Sequence, residues 1–203
     1  MVQKTPELIV GIAGGSCSGK TTLEGNLRSQ LGDKVATFPF DDLFIGLDAL
    51  HDTQVTDWES PDLYRWSDYR THITALKAGR EALVAALHPE SAVEGISSRL
   101  IEPRPIVVVA GFLALHDAGV NNLFGTTIFI DLPEQEMIKR RLARAKPSDQ
   151  WDSIEYIKNG LLSGYRRHVE PQRDVAKHVI DGTLLPEYIT EVVIEIIREK
   201  ESR

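Results

Sequence analysis

Short apolar runs alternate with amphipathic segments along most of the chain. Uninterrupted apolar runs predict buried strands, and apolar positions three or four residues apart predict helices. The predicted strands cover residues 8–13, 34–40, 105–115, 126–132 and 176–182. The predicted helices cover residues 20–31, 67–87, 133–146, 153–171 and 186–200, with Gly79 as a candidate break. The polar, aromatic-rich stretch 52–66 predicts a loop with short turns.

The order of these elements indicates the fold class. Strands that alternate with helices favour a parallel sheet covered by helices on both faces, because each parallel connection needs a crossover. The run 105–115 is the most apolar and predicts a central strand buried on both faces. No repeat, low-complexity tract or linker divides the sequence, so we expect a single α/β domain over residues 1–203.

Composition and charge argue against several classes of function. The net charge of -7 disfavours broad binding to nucleic acid or to anionic membranes, which needs a basic face. Cys17 is the one cysteine, which rules out an internal disulfide and disfavours a cysteine-based zinc site. No apolar run approaches the roughly 20 residues of a membrane helix or fits a signal peptide. We therefore expect a cytoplasmic protein without nucleic-acid or membrane partners.

The junction between the first strand and the first helix carries the motif GGSCSGKTT. It matches the phosphate-loop pattern G-x-x-x-x-G-K-[ST] without a mismatch. In this pattern, backbone N–H groups and the helix N-terminus bind phosphate oxygens, the lysine reaches the β- and γ-phosphates, and the final hydroxyl ligates Mg²⁺. The candidate nucleotide-binding residues are Gly14, Gly15, Ser16, Cys17, Ser18, Gly19, Lys20, Thr21 and Thr22. The motif's position favours a three-layer fold of the P-loop NTPase type.

Further segments follow this loop in a recognisable order: FDDLF, DWESPDLYRW, VVVAGFLAL, IFIDLPEQEMIKRRLAR and YRRHVEPQRDVAKHVIDG. Together with the loop, they resemble the uridine kinase, phosphoribulokinase and nicotinamide riboside kinase group of small-molecule kinases. The resemblance extends over residues 8–182. It implies an ATP- and Mg²⁺-dependent kinase with a short lid, here around residues 139–152. A guanine-specific switch is not favoured, because no N-K-x-D motif is present.

By this resemblance, Asp41 is the carboxylate that approaches the acceptor hydroxyl and, with Thr21, the magnesium ion. Such a carboxylate can accept the hydroxyl proton while Mg²⁺ and Lys20 neutralise the transferring group, so Asp41 and Lys20 are the catalytic candidates. The competing interpretation of Asp41 is a helix cap or turn residue, a frequent role of aspartate. Asp42 is expected to support Asp41 by contact with the substrate.

The segment DWESPDLYRW resembles the family segment in which an acidic residue before x-Pro holds sugar hydroxyls. Alignment with uridine kinases places Glu59 in this role, whereas alignment with nicotinamide riboside kinases places Asp57 there. A carboxylate suits a ribose-like acceptor because it accepts several hydroxyl hydrogen bonds. A solvated acidic loop is the competing interpretation.

The segment RRLAR matches the R-R-x-x-R at the start of the family's lid. It assigns Arg140, Arg141 and Arg144 to the phosphates, where an arginine would stabilise developing charge. On a helix, Arg141 lies about 100° from Arg140, so not all of them can point inward. An ordinary basic solvent face is the alternative. Arg166, before VEP, is a further candidate for contact with the acceptor or the phosphates.

Two departures from the family pattern affect the expected chemistry. Ala110 occupies the position where many relatives have an acidic residue before glycine, so a carboxylate that would help to hold the magnesium water shell is missing. The P-x-Y-D-F hairpin that contacts the base in uridine kinases has no counterpart in residues 79–103. Uridine is therefore not a secure acceptor.

The resulting hypothesis is Mg²⁺-dependent phosphoryl transfer from ATP to a hydroxyl of a small molecule, a nucleoside or a sugar-like alcohol. One alternative is a non-catalytic nucleotide-binding regulator derived from a kinase, which the missing carboxylate keeps open. Another is an NTP-hydrolysing switch. Dimers are common among the proteins that this chain resembles, so a homodimer is a candidate assembly.

Overall fold

A parallel sheet forms the centre of the molecule. The computed structural model describes residues 5–46, 48–49, 59–144 and 153–201. The sheet contains β1 (Leu8–Gly14), β2 (Val35–Pro39), β5 (Ile106–Ala110), β6 (Thr126–Asp131) and β7 (His178–Asp181). Their order is β2-β5-β1-β6-β7, and all neighbouring strands are parallel. Every residue of β1 and β5 is buried, which fits strands covered on both faces. The predicted α/β fold is confirmed.

Helices cover both faces of this sheet. Outside residues 154–173, the α-helices of the described ranges include α1 (Lys20–Leu31), α2 (Trp66–Lys77), α3 (Pro89–Val93), α4 (Ala118–Asn121), α5 (Glu134–Arg144) and α6 (Pro186–Glu201). On one face, Leu23 and Leu27 of α1 share an apolar cluster with Val193 of α6. On the other face, the cluster includes Ile73 of α2 and Met137 of α5. The sheet and these two clusters give the expected three layers.

The segment predicted as one helix over residues 67–87 is divided in the structure. α2 ends at Lys77, and Gly79 follows it with φ of 72°, a left-handed conformation that stops the helix. The chain then forms β3 (Ala82–Ala85), which pairs antiparallel with β4 (Ser98–Ile101). Residues of β3 are alternately buried and exposed, which is the period of a strand. The helix prediction was therefore wrong beyond residue 77, and the hairpin was missed.

Residues 154–173 are helical, as the sequence predicted, but not a regular α-helix. They include π-helical turns over Ile157–Leu161 and Tyr165–Val169 and a final 3-10 turn over Glu170–Arg173. Gln172 in this last turn is buried. Its amide group donates to the Phe112 carbonyl (2.7 Å) and accepts from the Leu115 backbone N–H (2.8 Å). This side chain therefore joins the helical segment to the chain that follows β5.

The carboxyl ends of β1, β2 and β5 meet at one edge of the sheet, which is where ligands bind in open α/β folds. Backbone segments approach closely at this edge, because a Cβ on Gly111 would lie 2.4 Å from the ring of Phe40. The edge therefore brings the chain that follows β5 next to the turn after β2. Among the described residues, no helix has the length and apolar composition needed to span a membrane.

Candidate active site

The loop between β1 and α1 forms a concave turn of backbone. Gly19, directly before α1, has φ of 97°, a left-handed conformation that glycine adopts without strain. Cys17 has φ of 60°, and it is the one non-glycine residue with positive φ in the described ranges. Alternating right- and left-handed residues turn successive N–H groups to one side, which makes an anion-binding concavity. The backbone therefore suits phosphate oxygens.

Lys20 occupies this concavity with its own side chain. Its Nζ donates to the carbonyl oxygens of Gly14 and Gly15, both at 2.8 Å, and to the Ser18 hydroxyl at 3.3 Å. These loop oxygens solvate an ammonium that burial has removed from water. Burial lowers the pKa of Lys20 to about 8, while several acidic groups oppose this shift. The group remains mostly protonated at neutral pH and is held where phosphates would arrive.

The acidic groups around Lys20 come from four parts of the chain. Asp41, Cys17, Glu24 and Glu59, in decreasing order of effect, raise the pKa of Lys20 against the effect of burial. Asp41 and Glu59 were candidates from the sequence, and the structure brings both into the electrostatic environment of the loop lysine. Asp57, the alternative to Glu59, lies outside the described residues.

Asp41 lies in the 3-10 turn Phe40–Leu43, directly after β2. The residue is exposed at the sheet edge, and no side chain of the described residues donates a hydrogen bond to its carboxylate. The surrounding protein reduces its hydration, which raises its pKa. The positive charges of His88 and Lys20 act in the opposite direction. The structure thus places Asp41 near Lys20, with oxygens available to a ligand.

Asp42 has a different environment from its neighbour. Its side chain is 4% exposed, and its Oδ2 accepts from Arg99 Nε at 2.7 Å. Its Oδ1 accepts from the Ser91 hydroxyl at 2.6 Å. Arg65 donates to the backbone carbonyls of Asp42 (2.8 Å) and Ala85 (2.7 Å). These bonds link the turn after β2 to the hairpin, and they occupy the carboxylate for which the sequence predicted a substrate contact.

Glu59 is buried and lies close enough to the aromatic residue Tyr64 to affect its pKa. Its charge and that of Asp41 raise the pKa of the buried Tyr64, after the larger effect of burial itself. The Tyr64 ring stacks on Phe40 with ring centroids 5.4 Å apart. Asp41 and Glu59 therefore act electrostatically on both Lys20 and Tyr64.

Two of the three candidate arginines contact the phosphate loop. Arg140 donates to the Cys17 carbonyl at 3.3 Å, and Arg141 donates to the Ser16 hydroxyl at 3.0 Å. Arg144, at the end of α5, is exposed. The helix runs alongside the loop, so the long side chains of two adjacent positions reach it in spite of their angular separation. Residues 145–152 of the expected lid lie outside the described residues.

Arg166 does not point to the phosphate loop as a free cation. It forms an exposed pair with Glu134, in which Nε and one terminal nitrogen donate to the two carboxylate oxygens, both at 2.6 Å. This arginine also lowers the pKa of Glu134. Contact between Arg166 and a substrate, which the sequence suggested, would require this pair to open.

A cavity of about 190 Å³ adjoins the outer side of the phosphate loop. Its lining residues are Ser18, Gly19, Leu23, Arg140, Thr183, Leu184, Leu185, Pro186 and Ile189. An apolar wall next to an arginine and backbone polar groups is the usual character of a small-molecule pocket. The sequence did not predict this site, because the turn before α6 lies far from the loop in sequence and carries no motif.

The oxygen groups at the start of α1 and after β2 fit the chemistry of Mg²⁺. The Thr21 hydroxyl is exposed beside Lys20, and Asp41 offers a carboxylate, both hard oxygen ligands. In the described parts of the chain, no three or more His, Cys, Asp or Glu side chains are grouped to hold a metal ion. In nucleotide sites, Mg²⁺ is usually bound through one or two carboxylates together with substrate phosphates.

Glu24 is a site residue that sequence reasoning missed. It lies one turn beyond Lys20 on α1, and burial together with the nearby charge of Asp41 raises its pKa to about 8. Arg28 and Lys20 act in the opposite direction. The signal was available in the sequence, since residues four apart on a helix share a face.

Known proteins resemble this chain over most of its length. The sequence profile of the Phosphoribulokinase / Uridine kinase family matches residues 9–184. A uridine kinase of Halobacterium salinarum is 26% identical, with 96% of this chain and 87% of that protein covered. A uridine kinase of Chlamydia pneumoniae is 27% identical, with 94% and 89% covered.

The solved structures show the same fold. A possible uridine kinase from Bacillus stearothermophilus superposes with a TM-score of 0.62 at 20% sequence identity, over 88% of this chain and 90% of that chain. The family profile covers far more than half of the sequence, and the loop, the arginines and the acidic turn lie within the matched residues. The chain therefore belongs to the phosphoribulokinase / uridine kinase family and is an ATP-dependent kinase of a small molecule.

Proposed function

We propose that the enzyme transfers the γ-phosphoryl group of Mg²⁺-bound ATP to a hydroxyl of a nucleoside or sugar-like acceptor, with Asp41 as the proton acceptor. The observation that carries this proposal is the contrast between two adjacent aspartates. The Asp42 carboxylate accepts hydrogen bonds from Arg99 and Ser91. The Asp41 carboxylate instead lies in the electrostatic environment of Lys20, with its oxygens available to a ligand. Similarity to uridine kinases supports the nucleoside class.

The step would be a direct displacement. The acceptor oxygen attacks the γ-phosphorus, the bond to the β–γ bridging oxygen breaks, ADP leaves, and the hydroxyl proton passes to Asp41. The raised pKa of Asp41 makes its carboxylate a stronger base for this proton. Mg²⁺, when bound through Thr21 and Asp41, would supply charge neutralisation at the phosphates. Catalysis would rest on positioning and electrostatics, since no covalent enzyme intermediate is needed.

Cations already beside the loop would stabilise the transferring group. Lys20 would leave the loop carbonyls and bind the β- and γ-phosphates, which restores the charged form that burial disfavours. Arg140 and Arg141 contact the loop before any nucleotide arrives and would need only local movement to bind phosphate oxygens. The adjacent cavity is then the candidate site of the nucleotide base, with the Arg140 side chain against it. The region of Glu59 and Tyr64 is the candidate acceptor site.

A turnover assay with matched variants tests this function. ADP release would be followed across nucleosides, nicotinamide riboside, pantothenate, glycerate and simple sugars. Asp41→Asn should lower the rate by at least about 100-fold with ATP affinity retained, because general-base contributions are of that size. Asp33→Asn, at an exposed turn after α1, is the control and should keep full activity. A rate retained by Asp41→Asn would refute the assigned proton acceptor.

Absence of transfer to every nucleoside and sugar on the panel would refute the proposed acceptor class. ATP binding without any transfer would favour the regulator that the sequence left open, which the comparisons do not support. A cytoplasmic location and a homodimer stay predictions.

A further inference from the structure

The side chain of Arg65 joins three parts of the chain next to the turn that carries Asp41. Arg65 directly precedes α2, and its side chain is 20% exposed. One terminal nitrogen of its guanidinium donates to the Asp68 carboxylate at 2.6 Å. The other donates to two backbone carbonyls, that of Asp42 at 2.8 Å and that of Ala85 at 2.7 Å. The guanidinium therefore connects the start of α2, the turn after β2 and the end of β3.

The backbone of the same residue holds the end of this turn. The Arg65 N–H donates to the Leu43 carbonyl at 2.9 Å, and Phe44 and Tyr64 form an antiparallel bridge beside this bond. Within the turn, the Phe44 N–H donates to the Asp41 carbonyl at 3.1 Å. Arg65 thus contacts the two residues that directly follow Asp41, one through its side chain and one through its backbone.

These bonds matter for Asp41 because its carboxylate has no such anchor of its own. In the ranges that the structure describes, no side chain donates a hydrogen bond to it. The direction of the carboxylate therefore depends on the backbone of the turn. The planar guanidinium fixes its donors in one geometry, and bonds from a charged donor are about twice as strong as neutral ones. Arg65 is therefore well suited to hold this backbone in one conformation.

We propose that Arg65 is a positioning residue, whose guanidinium fixes the turn Phe40–Leu43 so that the Asp41 carboxylate faces the acceptor hydroxyl. This inference rests on the proposed function, in which Asp41 accepts the hydroxyl proton. Proton transfer requires the base within hydrogen-bond reach of the hydroxyl, and a misplacement of about 1 Å can lower a rate by about 100-fold. Because the bonds of Arg65 lead to the turn and the hairpin, nucleotide binding at the phosphate loop should not depend on it.

Hydrogen exchange of the free enzyme tests the fixing of the turn without any acceptor. Arg65→Lys keeps the positive charge but lacks the planar pair of donor nitrogens. In this variant, the Phe44 amide should exchange at least about 10-fold faster than in the wild type, while the amides of β1 keep their protection. Arg70→Lys is the matched control, since Arg70 lies on the same helix and binds Asp117, directly before α4, through two nitrogens. Equal protection of Phe44 in the wild type and Arg65→Lys would overturn the proposal, as would an equal loss of protection in β1.

Turnover with the best acceptor of the panel tests whether the effect passes through Asp41. Arg65→Lys should lower kcat by at least about 10-fold with the KM for ATP unchanged, whereas Arg70→Lys should keep both. In an Asp41→Asn background, Arg65→Lys should lower the rate by less than about 2-fold, because the group that it positions is already absent. A structural defect would lower the rate by the same factor in both backgrounds, and that result would overturn the proposal.

The two measurements separate this inference from the proposed function. If Asp41→Asn lowers the rate but the effects of the two substitutions multiply, only this inference fails. If no acceptor is phosphorylated but the Phe44 amide alone exchanges faster in Arg65→Lys, the proposed function fails and the fixing of the turn by Arg65 stands.

Discussion

The ion pair between Asp42 and Arg99 gives a prediction that separates a structural role from a substrate role. Replacing Asp42 by Asn keeps the size of the side chain and one acceptor oxygen for Ser91, but it presents an NH₂ group or a neutral oxygen to Arg99. The change therefore removes a charge-assisted bond of 2.7 Å from a side chain that is 4% exposed. We expect a marked loss of stability with little change in ATP affinity.

The magnitude follows from the exposure of each partner. A hydrogen bond to a charged group contributes about 1.5–3 kcal/mol. Because the Arg99 side chain is 35% exposed, water replaces part of the lost interaction, and breaking the pair should cost less than the 3–5 kcal/mol typical of fully buried pairs. We therefore expect about 2 kcal/mol for Asp42→Asn. At about 2–4 °C per kcal/mol for a chain of this length, the melting temperature should fall by about 4–8 °C.

Urea unfolding at pH 7 measures this loss, with Asp33→Asn as the exposed control. A double-mutant cycle with Arg99→Met should show that the two changes together cost less than their sum, because the variants remove the same interaction. Unchanged unfolding of Asp42→Asn, combined with weaker acceptor binding, would refute this reasoning. That outcome would support the contact between Asp42 and the substrate that the sequence predicted.

Three further predictions concern stability. Gln172→Ala should lower the free energy of unfolding by about 2–4 kcal/mol in urea titrations, because the buried Leu115 N–H and a second backbone group lose their partner; an unchanged midpoint would contradict it. Gly111→Ala should cost about 1–3 kcal/mol, since its Cβ would clash with Phe40, and calorimetry would show it as a lower melting temperature; an equal or higher melting temperature would refute the clash. The folded-state pKa of Glu24 is raised from 4.5 to about 8, so the stabilisation present below pH 4.5 is lost as pH rises to 8. The free energy of unfolding, measured from pH 4.5 to 8, should fall less for Glu24→Gln than for the wild type. An equal fall in both proteins would refute the raised pKa.

Local sequence patterns determined much of the fold and the centre of the site. The uninterrupted apolar runs predicted the parallel strands, because a strand buried on both faces has no polar position. The spacing of Gly14, Gly19 and Lys20 predicted the phosphate loop, since that backbone conformation depends on residues adjacent in the chain. The strand β3 was missed because its residues were included in the predicted helix over residues 67–87, and the stop at Gly79 is a weak signal by itself. Its partner β4 fell in a stretch for which no element was predicted.

Tertiary structure decided which polar residues serve the site and which support it. Asp41 and Asp42 are adjacent and chemically identical, yet one faces Lys20 and the other is held by an arginine that lies 57 residues further along the chain. Likewise, Glu24 is affected by Asp41, which lies 17 residues further along the chain in the turn after β2. Burial and charge in a folded protein depend on residues distant in sequence, and a local pattern contains no information about that distance. The sequence therefore determined the elements and the loop, and the packing of those elements decided the environment of each carboxylate.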